Sequence, residues 1–224
     1  MRPADSPNSR GAVQPVAVLC DFDGTIVLRD TTAALYAQFG TETCHEFSQR
    51  WLKREIGTME EMLGCFSTMK ASKGQLEAVL AAIPVDGAFP AFVDFCRGRA
   101  DLFAILSDGL VWVIEHILER QGVHGLTVYA NELHFETDGL RVSFPWHDPA
   151  APMRGVCKPS IIRRYQARGY KVVYIGDGPT DLEVVGVADV LCARDELLHF
   201  CRERGIAAVG FTDLADLMAK WTTS

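Results

Sequence analysis

Four short stretches of this 224-residue chain hold the residue types that could do chemistry together. They are CDFDG at 20–24, LSDG at 106–109, CKPS at 157–160 and IGDGPTD at 175–181. Together they supply several carboxylates, a hydroxyl and an ammonium group. Clustered carboxylates repel one another unless a hard cation lies among them, and oxygen ligands favour Mg²⁺. The hydroxyl and the ammonium are then left for a phosphate dianion.

The first stretch places Asp21 and Asp23 two positions apart, where the apolar run PVAVLC ends. A phosphoryl transfer needs a nucleophile and a proton carrier, and two neighbouring carboxylates can supply one each. Gly24 would let the chain turn sharply after the pair. The alternative for the two carboxylates is a solvated turn after a strand.

The hydrophobic pattern predicts the elements that must bring these stretches together. Apolar runs predict buried strands, periods of three and four predict helices, and Asp138-Gly139 predicts a hairpin within 132–144. The predicted strands are 15–20, 101–107, 126–130, 170–177 and 189–193, with a helix over 180–188. This alternation predicts an α/β fold, a Rossmann-like parallel sheet with helices on both faces and ligands at the carboxyl ends of its strands.

The same pattern divides the chain. Helical periods run from Thr31 to about Ile83, after the first strand, and predict a small helical cap over 31–85. The catalytic core would then comprise 15–30 and 86–224. The polar start of the chain, 1–14, predicts a disordered tail without a secretory signal.

The composition argues against nucleic acid and membrane as partners. A net charge of −7 disfavours nucleic-acid binding, and the apolar runs are too short for a membrane span. The seven cysteines are scattered, which favours buried thiols in a reducing cytoplasm over disulfides or zinc. We therefore predict a cytoplasmic protein, monomer or homodimer, whose partner is a small phosphate ester.

The four stretches, in their order and spacing, resemble the four motifs of the haloacid dehalogenase superfamily of phosphohydrolases. The resemblance covers roughly residues 16–220. A helical segment between the first two motifs is similar to that of the phosphoserine-phosphatase-like branch. CKPSIIRR and VLCARDELLHFCRERGI resemble the branch with the methionine-salvage phosphatase that acts on a 2-hydroxy-3-keto-5-methylthiopentenyl phosphate.

This resemblance implies roles for the motif residues. Asp21 would be the nucleophile that forms an aspartyl-phosphate, and Asp23 the general acid and then base. The residues implied to bind phosphate are Ser107, Asp108 and Lys158. Ser107 alone could instead be a helix N-cap, Lys158 a surface lysine, and Asp108 a residue at a helix start or one that contacts a substrate hydroxyl or amine.

The resemblance also implies a Mg²⁺ cofactor. Its ligands would be Asp21, the main-chain carbonyl of Asp23, and Asp177. Asp181 would lie behind the ligands and orient Lys158 or a metal-bound water. The alternative for Asp177 and Asp181 is a turn residue and an N-cap.

Two further positions bear on substrate choice. Asp30 lies where phosphoserine phosphatases carry a Glu that reads the substrate amine, although it could simply cap a helix. Phe66 stands where they carry an Arg that reads the substrate carboxylate. This departure favours a sugar-, polyol- or keto-phosphate, with phosphoserine as the runner-up. Phosphoryl transfer between metabolites and a non-catalytic binding module are the further alternatives.

Overall fold

The computed structural model describes residues 14–99 and 101–222, and a seven-stranded sheet crosses that part of the chain. Its strands are β1 Val16–Cys20, β2 Leu102–Leu110, β3 Thr127–Phe135, β4 Leu140–Ser143, β5 Lys171–Gly176, β6 Val190–Ala193 and β7 Val209–Gly210. Their order is β4-β3-β2-β1-β5-β6-β7. Only β4 is antiparallel to its neighbour among the described strands. The predicted α/β class is confirmed.

The central strand β1 is buried on both faces. Val18 and Cys20 pack into one hydrophobic cluster, whereas Ala17 and Leu19 pack into another. Successive side chains of a strand point to opposite faces, so this alternation places a core on each side of the sheet. The short apolar run in the sequence is therefore a strand covered by helices above and below.

Nine α-helices surround the sheet within the described residues. Five lie between β1 and β2, namely α1 Thr31–Phe39, α2 Glu42–Leu52, α3 Thr58–Thr68, α4 Lys73–Leu80 and α5 Phe89–Gly98. The others are α6 Val111–Arg120, α7 Lys158–Ala167, α8 Asp195–Glu203 and α9 Leu214–Thr222. The first four fall within the predicted cap, 31–85, and the boundaries of cap and core stay a prediction. The predicted tail falls outside the described residues except for Gln14.

Three predicted elements differ from the structure. β2 continues to Leu110 through a shift in its register with β3, so Ser107 lies in a strand and does not cap α6. The predicted strand 126–130 and the first half of the hairpin form the single strand β3. The predicted helix over 180–188 is a shorter 3-10 helix, Pro179–Val184. Periodicity alone could not separate these cases, because short apolar runs suit several elements.

The cysteines were predicted to be thiols, and for one pair this prediction was wrong. Cys44 of α2 and Cys65 of α3 form a disulfide that links these two helices. The other five cysteines are free and buried. Across the described residues, no helix has both the length and the apolar character required to cross a membrane.

Candidate active site

Asp21 lies directly after β1, at the centre of the sheet edge. Its N–H donates to the carbonyl of Ile175 on β5 at 2.8 Å, which holds the residue in line with the strand. The carboxylate Oδ1 accepts from the N–H of Phe22 at 2.7 Å, and Oδ2 lies 3.0 Å from Nζ of Lys158. These two contacts, one to each oxygen, fix the orientation of the buried Asp21 carboxylate.

Lys158 begins α7 and is completely buried. Its Nζ donates to Asp181 Oδ1 at 2.7 Å and to the hydroxyl of Tyr174 at 3.0 Å. Burial by itself lowers the pKa of Lys158, but the charges of Asp181 and Asp21 outweigh it and raise the pKa. The side chain therefore stays an ammonium group beneath the carboxylate of Asp21, which excludes the alternative of a surface lysine.

The carboxylates of Asp21, Asp177 and Asp181, of which Asp177 is partly exposed and the other two are buried, can present oxygens within 4.8 Å of one another. Burial and the charge of Asp181 raise the pKa of Asp21 well above its usual range. Burial also raises the pKa of Asp177 to about 6, although the Thr25 hydroxyl donates to it at 2.6 Å. A divalent cation would offset this repulsion, so the donor set fits Mg²⁺.

Asp181 is already fully engaged by the protein. Its Oδ1 binds Lys158 and Tyr174, while Oδ2 accepts from the N–H groups of Asp177 at 3.0 Å and Gly178 at 3.2 Å. Burial raises its pKa, but the Lys158 charge and these hydrogen bonds lower the pKa overall. Asp21 and Asp177 thus remain available as metal ligands, whereas the contacts of Asp181 suit a residue that orients Lys158.

Asp23 lies two residues after Asp21 and lines the same cavity. Its Oδ1 accepts from the N–H of Thr31, the first residue of α1, at 2.6 Å. Burial, followed by the charge of Asp30, raises the pKa of Asp23 to about 7. Gly24 next to it adopts φ +77°, and a Cβ there would overlap the carboxylate of Asp177. Glycine is therefore required for the turn that brings the first and fourth motifs together.

Ser107 and Asp108 lie near the end of β2, and both line the same cavity as Asp21. The hydroxyl of Ser107 accepts from the N–H of Gly109 at 3.0 Å and is buried. The carboxylate Oδ1 of Asp108 accepts from the N–H of Val156 at 2.8 Å. Its carboxylate therefore fastens the loop before Lys158 to β2. A contact between Asp108 and phosphate stays a prediction.

A cavity of about 580 Å³ opens between this sheet edge and helices α1, α2 and α3. Its floor comprises Asp21, Asp23, Ser107, Asp108 and Asp177. Its opposite wall includes Asp30, Tyr36, His45, Ser48, Trp51, Leu52, Thr58, Glu61 and Met62. Apart from Asp30, these wall residues come from the predicted cap, and any ester bound at the floor would meet their side chains.

The two predicted substrate residues have different outcomes. Asp30 lines the cavity, and its Oδ1 also accepts from the N–H of Ala33 at 2.8 Å, so it caps α1. Phe66 is completely buried, packs on the ring of Tyr36 at 5.6 Å between centroids, and is absent from the described cavity lining. Phe66 therefore packs in the core, one helical turn beyond the cavity residue Met62, and its contact with substrate stays a prediction.

Sequence reasoning missed Tyr36 and Glu61, two polar residues of the cavity wall that are buried. A signal was present for Glu61. It lies four positions before Cys65 and beside Met62, both of which are buried on the same face of α3. Acidic side chains are seldom buried, so an acidic residue on the apolar face of an amphipathic helix indicates a candidate functional residue.

The sequence of this chain is similar to those of known phosphatases. The chain is 32% identical over 205 residues to the bifunctional enzyme MtnB/MtnX of Bacillus licheniformis, covering 89% of this chain but 48%, about half, of that relative. It is 31% identical to the 2-hydroxy-3-keto-5-methylthiopentenyl-1-phosphate phosphatase of Bacillus pumilus, covering 91% of this chain and 90% of the relative.

Solved structures share the fold. The phospho-aspartyl intermediate analogue of phosphoserine phosphatase superposes with a TM-score of 0.68 at 19% identity, covering 93% of this chain and 99% of the other. The substrate-bound phosphoserine phosphatase complex gives 0.68 at 17% identity with the same coverage of 93% and 99%. The sequence profile of the haloacid dehalogenase-like hydrolases matches residues 18–185. The resemblance is confirmed, and the chain belongs to the haloacid dehalogenase-like hydrolase family.

Proposed function

We propose that this chain is a Mg²⁺-dependent phosphomonoesterase that hydrolyses a small keto- or hydroxy-phosphate through an aspartyl-phosphate on Asp21. The main support for this proposal is one contact at the floor of the cavity. There the buried Asp21 carboxylate lies 3.0 Å from the Lys158 ammonium. A carboxylate oriented by a buried cation is suited to attack a phosphorus atom. The relatives named as keto-phosphate phosphatases support the substrate class.

In the first step, an oxygen of Asp21 forms a bond to phosphorus while the ester P–O bond breaks. The proton that the leaving alkoxide needs comes from Asp23, whose pKa of about 7 lets it hold that proton near neutrality. In the second step, Asp23 takes a proton from water as the water oxygen attacks phosphorus. The bond between phosphorus and Asp21 breaks as the water oxygen bonds to phosphorus, which releases inorganic phosphate and restores the Asp21 carboxylate and the protonated Asp23.

The remaining groups hold the phosphoryl charge. Ser107 would donate its hydroxyl to a phosphate oxygen, and Lys158 would provide positive charge behind Asp21. Asp21, Asp177 and the main-chain carbonyl of Asp23 would hold the metal ion. When bound, Mg²⁺ supplies neutralisation of the phosphate charge. Asp181 acts through Lys158, because its carboxylate is already saturated by protein donors.

The helices of segment 31–85 would act as the cap that selects the substrate. The floor contacts only phosphate, which every candidate ester shares, so discrimination must come from the opposite wall. Basic side chains of the described wall are Arg29 and His45, both exposed at its rim. The wall therefore lacks a buried cation for the carboxylate of phosphoserine, and we expect phosphoserine to be a poor substrate.

Two assays test this function. Hydrolysis of p-nitrophenyl phosphate with and without Mg²⁺ separates a phosphatase from a non-catalytic module. A panel of dihydroxyacetone phosphate, fructose 1-phosphate and phosphoserine then ranks substrates by kcat/KM. The proposal is refuted if Mg²⁺ supports no turnover, and its substrate class is refuted if phosphoserine exceeds both other esters. A cytoplasmic location and a monomer or homodimer stay predictions.

A further inference from the structure

The hydroxyl of Tyr36 is a buried polar group without a hydrogen-bond partner among the described residues. Tyr36 lies on α1, is 9% exposed, and lines the cavity above the sheet edge. A buried hydroxyl that has left water without gaining a partner is unfavourable, so native structures rarely keep one without a reason. A ligand in the cavity could supply the missing partner.

Glu61 is the second buried polar group of the same wall. It lies on α3, is 7% exposed, and lines the cavity with Tyr36. Burial raises the pKa of Glu61 to about 7, although a hydrogen bond from Ser48 opposes the shift. Burial, followed by the charge of Glu61, raises the pKa of Tyr36 well above its usual range. Near neutrality Glu61 can thus accept a hydrogen bond or donate one.

The surroundings of this pair are largely apolar. Met62 follows Glu61 in the wall, and Trp51 and Leu52 of α2 line the same cavity. The indole N–H of Trp51 donates to the Thr58 hydroxyl at 3.3 Å, which leaves its ring as an apolar surface. A few polar groups among apolar side chains are the usual construction of a small-molecule site, in which placed donors and acceptors set the orientation of the ligand.

We infer that Tyr36 and Glu61 form a recognition subsite for the hydroxyl and carbonyl oxygens of an uncharged hydroxyketone chain whose phosphate lies at Asp21. Tyr36 would donate to the carbonyl oxygen, and Glu61 would accept from the neighbouring hydroxyl. This inference rests on the proposed phosphatase function and deepens it. A site built to hydrogen-bond an oxygen discriminates strongly against a substrate without it, because its own polar groups are then left unpaired.

The test compares two esters with phosphate at the same end. Dihydroxyacetone phosphate carries the carbonyl and hydroxyl, whereas n-propyl phosphate has a chain of the same length without them. The readout is the ratio of their kcat/KM values in the wild type, Tyr36→Phe and Glu61→Gln. We expect each substitution to reduce this ratio about tenfold. A merely structural defect would lower both values alike and leave the ratio unchanged.

Tyr165→Phe is the matched control. Tyr165 is a buried tyrosine of α7 whose hydroxyl meets that of Tyr129 at 3.0 Å, outside the described cavity lining. Its loss removes the same atom from a site with no predicted substrate contact. We therefore expect the ratio to equal that of the wild type.

Three results would overturn the inference. One is an unchanged ratio in both Tyr36→Phe and Glu61→Gln. Another is a preference for phosphoethanolamine over dihydroxyacetone phosphate that disappears in Glu61→Gln, because Glu61 would then read a cation. The third is a wild type that fails to hydrolyse p-nitrophenyl phosphate with Mg²⁺, which would overturn the proposed function as well. The first two results would overturn the subsite but not the proposed phosphatase function. Failure of the subsite is therefore distinguishable from failure of the function.

Discussion

Replacing Asp181 with asparagine would remove a buried charge while keeping the shape of the side chain. Asp181 is completely buried and accepts from Lys158 at 2.7 Å through one oxygen and from two main-chain N–H groups through the other. In asparagine, one of these oxygens becomes an NH₂ group. A donor would therefore face either the ammonium of Lys158 or the N–H groups of Asp177 and Gly178.

The structure sets the expected magnitude. Removing one partner of a buried ion pair costs about 3–5 kcal/mol of the free energy of unfolding. Asp21 lies 3.0 Å from Lys158 and keeps part of the compensation, and its repulsion by Asp181 is relieved. We therefore expect the lower end of the range, about 3 kcal/mol. With a urea m-value of about 2–3 kcal/mol/M, the unfolding midpoint should fall by roughly 1–1.5 M.

Urea unfolding followed by tryptophan fluorescence, in EDTA to remove metal effects, measures this change. Glu60→Ala is the control, because its carboxylate pairs with Arg50 at 3.1 Å on the surface. Surface pairs contribute about 0–1 kcal/mol. Equal midpoints for Asp181→Asn and Glu60→Ala would refute the argument that the Lys158 charge depends on Asp181.

The other predictions concern the motif residues. Asp21→Asn should lower kcat by about 10³ or more with an unchanged circular dichroism spectrum, because an amide cannot form the acyl phosphate; near-normal turnover would contradict the mechanism. In EDTA, the pKa values of Asp23 and Asp177 are about 7 and about 6, above their usual 3.8, so the folded state binds protons more tightly than the unfolded state. Their contribution to stability is therefore lost as pH rises from about 4 to about 7, and Mg²⁺ should raise Tm more at pH 8 than at pH 5; an equal increment at both pH values would count against a metal at these carboxylates. Gly24→Ala should lower Tm and activity together, since φ +77° and the Asp177 carboxylate leave no room for a Cβ; wild-type values for both would show that the turn tolerates a side chain.

The sequence predicted that Asp21, Ser107 and Asp177 would lie at one edge of the sheet, and the structure places all three in the floor of one cavity. Asp21 follows β1, Ser107 lies near the end of β2, and Asp177 follows β5, three strands that are adjacent in the sheet. This could be foreseen because alternating strands and helices predict a parallel sheet, and its carboxyl ends share one edge. The complete burial of Lys158 was not foreseen, because lysine side chains are seldom fully buried.

Side-chain direction could not be foreseen to the same degree. On a helix, residues four positions apart share a face, so spacing alone cannot tell which turn of that face borders the cavity and which packs into the core. Glu61 and Met62 face the cavity, whereas Phe66 on the same helix packs against Tyr36. The Cys44–Cys65 disulfide depends likewise on how α2 and α3 pack, which no spacing in the sequence reveals.

The sequence by itself determined the family, the α/β sheet and the positions of the carboxylates, because motif order and strand ends are local properties of the chain. Only the tertiary structure decided which charges meet. In the folded chain, the Asp108 carboxylate accepts from the N–H of Val156. Asp181 accepts from Lys158, which lies 23 positions away in the chain. The tertiary structure also placed Tyr36 and Glu61 in one wall. Such contacts depend on long-range packing, which fixes side-chain direction only after the elements have come together.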